Sequence, residues 1–197
     1  MVGTINPVVH GGRRRHYLTA LATHGLGLVL STAATGAALG LGGRIAADGR
    51  GRYAVLALLA AWGGLAELGL VPMPRPQSRW QVPGRWRRLT PWQTSFLYGL
   101  GLGPGVTVRI ATPAFYVLLL GVALLGSIPT AAALFVVYAM GRWLAVLLFA
   151  IGPSQPDRSI SAALVRASRW QPAARVAIGL VLALCAGIFL ALLRSGA

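Results

Sequence analysis

The chain has 197 residues, of which 56% are hydrophobic and only 11% are charged. Soluble globular proteins carry roughly 25% charged residues, so this chain has too few polar side chains to cover a water-soluble fold. The composition therefore excludes an ordinary soluble domain and predicts an integral membrane protein. The single cysteine, Cys185, excludes an intrachain disulfide and a cysteine-rich metal site.

The formal net charge is +15, and arginine supplies every Lys or Arg position in the chain. The arginines lie between apolar runs rather than along one face, which is typical of anchors that attract anionic lipid headgroups. A nucleic-acid interface would need a continuous basic surface, so we expect no nucleic-acid partner. The exclusive use of arginine indicates a high-GC bacterium as the source.

Hydropathy predicts five membrane-spanning segments, which are residues 17–41, 53–71, 95–123, 128–151 and 173–193. Each is about long enough to cross a hydrocarbon core of ~30 Å at ~1.5 Å per residue. Long apolar runs without strand alternation favour helices over barrel strands. The first span exceeds the core of a signal peptide, so we expect it to be retained. The expected fold is an all-α polytopic bundle in which residues 1–197 form a single transmembrane domain.

Arginines are concentrated in the N-terminal tail, in the basic loop 72–94 and in the loop after the fourth span. In a five-span topology these three regions share one side of the membrane. The positive-inside rule assigns that side to the cytoplasm. We therefore expect a plasma-membrane protein with its N-terminus in the cytoplasm and its C-terminus outside.

The basic loop contains RPQSRWQVPGRWRRLTPWQ, in which tryptophans alternate with arginines. The favoured interpretation is an interfacial belt, with indoles at headgroup depth and guanidinium groups on anionic lipid phosphates. The alternative is a docking surface for a membrane-protein partner, because Trp and Arg are enriched at binding hot spots. The residues assigned to this lipid or partner interface are Trp80, Arg85, Trp86, Arg87 and Arg88.

Charged or titratable residues occur within the predicted spans at His24, Glu67, Arg109 and Arg142. An arginine near the bilayer centre costs about 2.5–3.5 kcal/mol on insertion scales, so it normally faces protein or water. Glu67 is the only acidic residue in a predicted span, and this makes it the candidate partner for Arg109 or Arg142. Such a pair either fixes helix packing or lines a cavity that attracts anions.

The third span contains FLYGLGLGPGVTVRIATPAF, which is interrupted by glycines, prolines and one arginine. Proline removes a helical donor, and glycine lets a neighbouring helix approach closely. Irregular backbone at membrane depth lies inside protein or beside water, so we expect a Gly/Pro-interrupted third helix that lines a cavity. The predicted cavity-lining residues are Glu67, Gly103, Pro104, Gly105, Thr107, Arg109, Thr112, Pro113 and Arg142.

SFLYGLGLGPGVTVRIATPAFYVLLLGVAL resembles the first helix of the second half in the CcdA/DsbD-like cytochrome c biogenesis transmembrane family. AALFVVYAMGRWLAVLLFAIG resembles the helix that follows it. In that family the helix carries a Gly-rich lead followed by a Pro-Cys-x-x-Pro motif. When Pro113 is matched to the second proline of this motif, Arg109 falls at the first proline and Ile110 at the cysteine. No segment corresponds to the family's first helix. The resemblance implies the family's fold without its dithiol chemistry.

These features are compatible with three functions. The first is transport of a small solute, or support of transport, through a cavity lined by residues 99–113. The second is a non-catalytic membrane subunit or assembly factor of a redox, respiratory or cytochrome biogenesis complex. The third and weakest is an enzyme acting on lipid phosphates. The three histidines lack metal-ligand spacing, and no nucleophile, base and orienting residue can be assembled, so we expect no cofactor, no metal, no catalytic residue and no enzyme activity.

Overall fold

A computed structural model describes residues 14–46, 51–73, 84–104, 112–151 and 156–195. Within these ranges the chain is helical and contains no β-strand. The helices are α1 (Arg14–Ala46), α2 (Gly51–Glu67), α3 (Pro91–Leu102), α4 (Pro113–Leu125), α5 (Ile128–Ile151) and α6 (Pro156–Ser195), with a 3₁₀ turn at Gly84–Arg88.

Three stretches of the described helices are long and apolar enough to cross a membrane. They are Arg15–Arg44 in α1, Ile128–Leu147 in α5 and Ser168–Ser195 in α6. These stretches cover most of the predicted spans 17–41, 128–151 and 173–193. The described chain is therefore an all-helical protein with three candidate membrane spans, as an integral membrane protein requires. Its orientation and the base composition of its source stay predictions.

The other two predicted spans differ from the helices observed. The span 53–71 continues past the end of α2 at Glu67, because the chain turns at Gly69. The span 95–123 corresponds to two helices, since α3 ends at Leu102 and α4 begins at Pro113. Residues 105–111 lie outside the described ranges.

The chain divides into two compact units, which are described separately. Unit 1 contains α1 up to Thr35, the 3₁₀ turn, α3, α5 from Ala133 onward and α6 up to Ser168. Unit 2 contains α1 from Gly36 onward, α2, α4, the start of α5, and α6 from Arg169 onward. The assignment of residues 1–197 to a single transmembrane domain stays a prediction.

Close contact between α1 and α3 defines unit 1. A Cβ atom on Gly99 would lie 2.8 Å from the Leu28 backbone nitrogen, and one on Gly27 would lie 3.1 Å from the Leu100 nitrogen. Gly103 sits against Ser31 in the same way. The residue numbers of the contacting residues rise together in α1 and α3, so the two helices are parallel. Small residues allow this approach because they remove the side chains that would separate the backbones.

Helix α5 completes the packing of unit 1 in the opposite direction. Trp143 covers Gly25, and its indole Nε1 donates a hydrogen bond to the Leu21 carbonyl at 3.2 Å. Further along, Leu28 packs with Leu102 and Ala139 in a buried apolar cluster. The residue numbers of the contacting residues rise in α1 as they fall in α5, so α5 is antiparallel to α1.

In unit 2 the end of α1 packs against the start of α5 and the end of α4. A Cβ atom on Gly40 would lie 2.9 Å from the Ile128 Cα. Gly43 contacts the Ala123 carbonyl, and the Arg44 Nε donates to the Gly126 carbonyl at 3.2 Å. Gly126 ends α4 with φ of 64°, a left-handed conformation that glycine adopts without steric cost.

Candidate functional site

The end of α2 positions Glu67, which is a buried acid in unit 2. The Leu70 amide donates to the Leu65 carbonyl at 2.9 Å, and the Gly69 amide donates to the Ala66 carbonyl at 3.1 Å. Gly69 has φ of 76°. This pair of hydrogen bonds with a left-handed glycine is a Schellman motif, which ends the helix one turn after Leu65. Glu67 is therefore held in the last turn of α2.

The start of α4 supplies a hydrogen-bond donor to this acid. Pro113 occupies the first helical position and has no N–H, so the first amide of the helix belongs to Ala114. The Ala114 amide donates to Glu67 Oε1 at 3.0 Å. Thr112 occupies the N-cap position, but its side chain makes no capping hydrogen bond. Glu67 therefore takes the role that an N-cap side chain ordinarily fills.

Helix α6 supplies a cation. Arg175 Nε lies 3.8 Å from Glu67 Oε2, with the Arg175 side chain 43% exposed and the Glu67 side chain 1% exposed. A Cβ atom on Gly64 would lie 3.1 Å from the Gly179 carbonyl oxygen. The contact between these two glycines aligns α2 with α6 in antiparallel directions. Glu67 lies about one turn after Gly64 in α2, and Arg175 lies about one turn before Gly179 in α6, so the two side chains face each other.

The cluster formed by Glu67, the Ala114 amide and Arg175, here called the Glu67 cluster, joins three helices through one carboxylate. The negative charge lies at the end of α2, where the helix dipole disfavours it. The N-terminus of α4 and the Arg175 guanidinium offset that cost. Glu67 Oε2 is buried and accepts no hydrogen bond from the described residues. These groups can fix helix positions, but they include no paired acid and base for catalysis.

Glu67 has an ion-pair partner that the sequence analysis did not consider. Among the described residues its ion pair is with Arg175, not with Arg142. Arg142 belongs to unit 1, where its Nη1 donates to the Tyr138 hydroxyl at 3.2 Å and its guanidinium carbon lies 5.6 Å from the Tyr138 ring centroid. Arg109 lies outside the described residues, so its pairing with Glu67 stays a hypothesis.

The remaining predicted cavity residues within the described structure belong to different units, and the cavity itself stays a prediction. In unit 1, Gly103 is buried against Ser31, and Pro104 is exposed. In unit 2, Pro113 is buried at the start of α4, and Thr112 is exposed. Gly105 and Thr107 lie outside the described residues.

His24 is a second buried polar side chain, with 3% of its surface exposed. Its Nδ1 lies 3.3 Å from the Ser95 carbonyl oxygen on α3. The nearby Ser31 hydroxyl donates to its own helix at Leu28 and across to the Gly99 carbonyl at 3.3 Å. These contacts strengthen the α1–α3 crossing and form no set of groups suited to catalysis.

The predicted interface residues are only partly within the described structure. Arg85 and Arg88 are exposed on the 3₁₀ turn, and the Trp86 ring packs edge-to-face on Tyr98 with centroids 5.6 Å apart. Trp80 and the side chain of Arg87 lie outside the described residues.

These features define an all-helical protein with candidate membrane spans, whose buried polar groups connect helices. The chain is 34% identical over 151 residues to methylamine utilization protein MauF of Paracoccus versutus, covering 74% of this chain and 55% of the relative. It is 35% identical over 154 residues to MauF of Paracoccus denitrificans, covering 76% of this chain and 55% of the relative. It is 36% identical over 157 residues to MauF of Methylophilus methylotrophus, covering 77% of this chain and 53% of the relative.

The chain thus spans about half the length of the curated relatives that it matches. No protein-family profile matches it, and no solved structure gives a significant match.

The resemblance to the CcdA/DsbD-like family is therefore wrong, because the relatives found over most of the chain are MauF proteins. The interpretation as a CcdA/DsbD-like transporter is wrong with it. The physical reason is that glycine and proline spacing in apolar helices recurs wherever helices pack closely in membranes. Such a pattern predicts helix packing and does not identify a family.

Proposed function

We propose that this chain is a non-catalytic membrane component of methylamine utilisation, acting as a subunit or assembly factor of a redox complex. The observation that carries the proposal is the 34–36% identity to MauF proteins over about three-quarters of the chain. The candidate membrane spans support a membrane location. The Glu67 cluster supports a structural role, since its groups hold helices together.

The proposal includes a topology. We propose that the chain crosses the plasma membrane five times, with α3 and α4 contributing to one interrupted span. Neither helix is long enough alone, since α3 has 12 residues and α4 has 13, whereas a span needs about 20. We place the N-terminus in the cytoplasm, because arginine-rich segments favour that side.

Growth on methylamine tests the proposed function. An in-frame deletion of the gene in its own host should abolish or strongly slow growth with methylamine as the only nitrogen source. Growth on ammonium should be unchanged, and a plasmid copy of the gene should restore growth on methylamine. Normal growth of the deletion strain on methylamine would refute the proposal.

Copurification distinguishes a subunit or assembly factor, which binds a partner protein, from a protein that acts alone. The full chain, tagged at its C-terminus, should be purified from membranes of cells grown on methylamine and of cells grown on ammonium. We expect a stoichiometric membrane partner in the methylamine-grown cells. Recovery of the tagged chain alone from both preparations would count against a subunit or assembly role.

A further inference from the structure

The parallel arrangement of α1 and α3 places the starts of both helices at one end of unit 1. The Thr23 hydroxyl donates to the Trp92 carbonyl at 3.2 Å, and His24 Nδ1 lies 3.3 Å from the Ser95 carbonyl. One turn further along α3, the Ser31 hydroxyl donates to the Gly99 carbonyl at 3.3 Å. The residues of α1 before Thr23 therefore lie at the same end of unit 1 as the residues before Trp92.

The 3₁₀ turn is fixed beside the start of α3 at this end. The Thr94 hydroxyl donates to the Trp86 carbonyl at 3.2 Å, and Trp86 packs edge-to-face on Tyr98. These two contacts fold the turn back along the first turns of α3. They leave Arg85 and Arg88 exposed at its surface.

The start of α1, the 3₁₀ turn and the start of α3 carry cations and no acid of their own, and Asp157 in the first turn of α6 is the acidic residue within unit 1. Arg15, at the start of α1, is exposed like Arg85 and Arg88. Neither α1 nor residues 84–104 contain an aspartate or glutamate. The neutralising charge must therefore come from another part of the chain or from a bound anion.

Exposed apolar side chains accompany these arginines. Trp92 is 49% exposed in the first turn of α3, and Leu18 is 48% exposed in the first turns of α1. Tryptophan beside arginine at the end of a membrane-spanning helix is the arrangement found at headgroup depth. A hydrated soluble anion would satisfy the arginines and leave the exposed indole and leucine in water.

We infer that Arg15, Arg85, Arg88 and Trp92, together called the basic rim, bind the phosphate groups of acidic phospholipids. The guanidinium groups contact the headgroup phosphates, and Trp92 and Leu18 lie at the boundary with the acyl chains. This role is separate from the proposed function in methylamine utilisation, and either can fail without the other.

Native mass spectrometry of the full chain tests the inference. The protein is released from micelles that contain equal amounts of dioleoylphosphatidylglycerol and dioleoylphosphatidylcholine, and the bound lipids are counted. The wild type should retain phosphatidylglycerol preferentially. The double variant Arg85→Gln/Arg88→Gln should lose this preference by about fivefold for each arginine removed.

Two controls make the result specific. Arg85→Lys/Arg88→Lys keeps the positive charges and should keep the preference for phosphatidylglycerol. Arg194→Gln removes an exposed arginine in the last turn of α6, which is not part of the basic rim, and should change the preference by less than about twofold.

Two outcomes would overturn the inference. The first is an unchanged lipid preference in Arg85→Gln/Arg88→Gln. The second is copurification of a stoichiometric protein that the same variant loses while its lipid preference stays at the wild-type level, because the surface would then bind protein rather than lipid.

Discussion

Replacing Glu67 by alanine removes the oxygen that accepts the Ala114 amide proton at 3.0 Å. A buried amide left without an acceptor costs about 1–3 kcal/mol, and the partly buried Ala114 amide falls in the lower part of that range. Loss of the negative charge at the start of α4 costs a further ~0.3–1 kcal/mol. The lost ion pair adds little, since the Arg175 side chain is 43% exposed and exposed pairs contribute about 0–1 kcal/mol. Relief of the buried charge at the end of α2 offsets part of the total.

We therefore expect Glu67→Ala to lower the free energy of unfolding by about 2 kcal/mol. Glu67→Gln keeps an oxygen that can accept the Ala114 proton and should lower it by about half as much. The assay is equilibrium unfolding of the purified protein in mixed micelles with increasing dodecyl sulfate, followed by far-UV circular dichroism. A Glu67→Ala protein as stable as the wild type would refute the proposed bridging role of this carboxylate.

Thr112→Ala is the matched control for the same assay. An ordinary N-cap threonine contributes about 1 kcal/mol, but the Thr112 side chain makes no capping hydrogen bond to α4. We expect Thr112→Ala to change the free energy of unfolding by less than about 0.5 kcal/mol. A larger loss than that of Glu67→Ala would show that the start of α4 depends on its own N-cap residue.

Three further predictions concern the helix contacts. Gly99→Ala should lower the free energy of unfolding by about 1–3 kcal/mol, because the new Cβ would lie 2.8 Å from a backbone nitrogen of α1. The control Gly141→Ala has nothing within 4 Å of its new Cβ and should be neutral or stabilising by up to ~1 kcal/mol. Both are measured by dodecyl sulfate unfolding, and equal effects of the two substitutions would argue against the close crossing of α1 and α3. Arg175→Ala should lower the free energy of unfolding by at most about 1 kcal/mol, because the pair is partly exposed. Arg175→Lys should recover most of that loss at low ionic strength, and equal losses for both variants at low and high salt would argue against the ion pair. Trp143→Phe removes the 3.2 Å hydrogen bond to the Leu21 carbonyl and should lower the thermal midpoint of circular dichroism by an amount corresponding to about 0.5–1.5 kcal/mol; an unchanged midpoint would contradict this.

The sequence predicted the long helices well because apolar length alone identifies them. The spans 17–41, 128–151 and 173–193 all fall within helices long and apolar enough to cross a membrane, apart from a few residues at the end of the second. The ends of the helices were harder to predict, because each end depends on a single glycine or proline, whereas hydropathy is averaged over a window of many residues. Gly69 ends α2 before the apolar run finishes, and Pro113 begins α4 within an apolar run.

The candidate site was predicted in part. Glu67 was identified because an acid within a membrane span needs a compensating partner. Its partner Arg175 was missed, although that residue lies within the predicted fifth span. The pairing depends on the alignment of α2 with α6, which the contact between Gly64 and Gly179 fixes. The chain contains 26 glycines, and nothing in the sequence distinguishes these two as a pair that will be in contact.

The family was predicted wrongly for a related reason. The resemblance of residues 95–124 to a CcdA/DsbD-like helix rests on glycine spacing, proline position and hydropathy. Those properties satisfy general requirements of helix packing in lipid, so unrelated proteins share them. Residue identity over about 150 positions carries far more information, and it indicates MauF proteins.

Cross-complementation tests the central claim most directly, because this chain spans about half the length of its relatives. A Paracoccus denitrificans strain lacking its MauF should receive this chain, with membrane expression verified by immunoblot, and its growth rate on methylamine should be measured. The proposed function predicts growth well above that of the strain carrying an empty plasmid. Growth no better than the empty plasmid, with the chain present in the membrane, would contradict it.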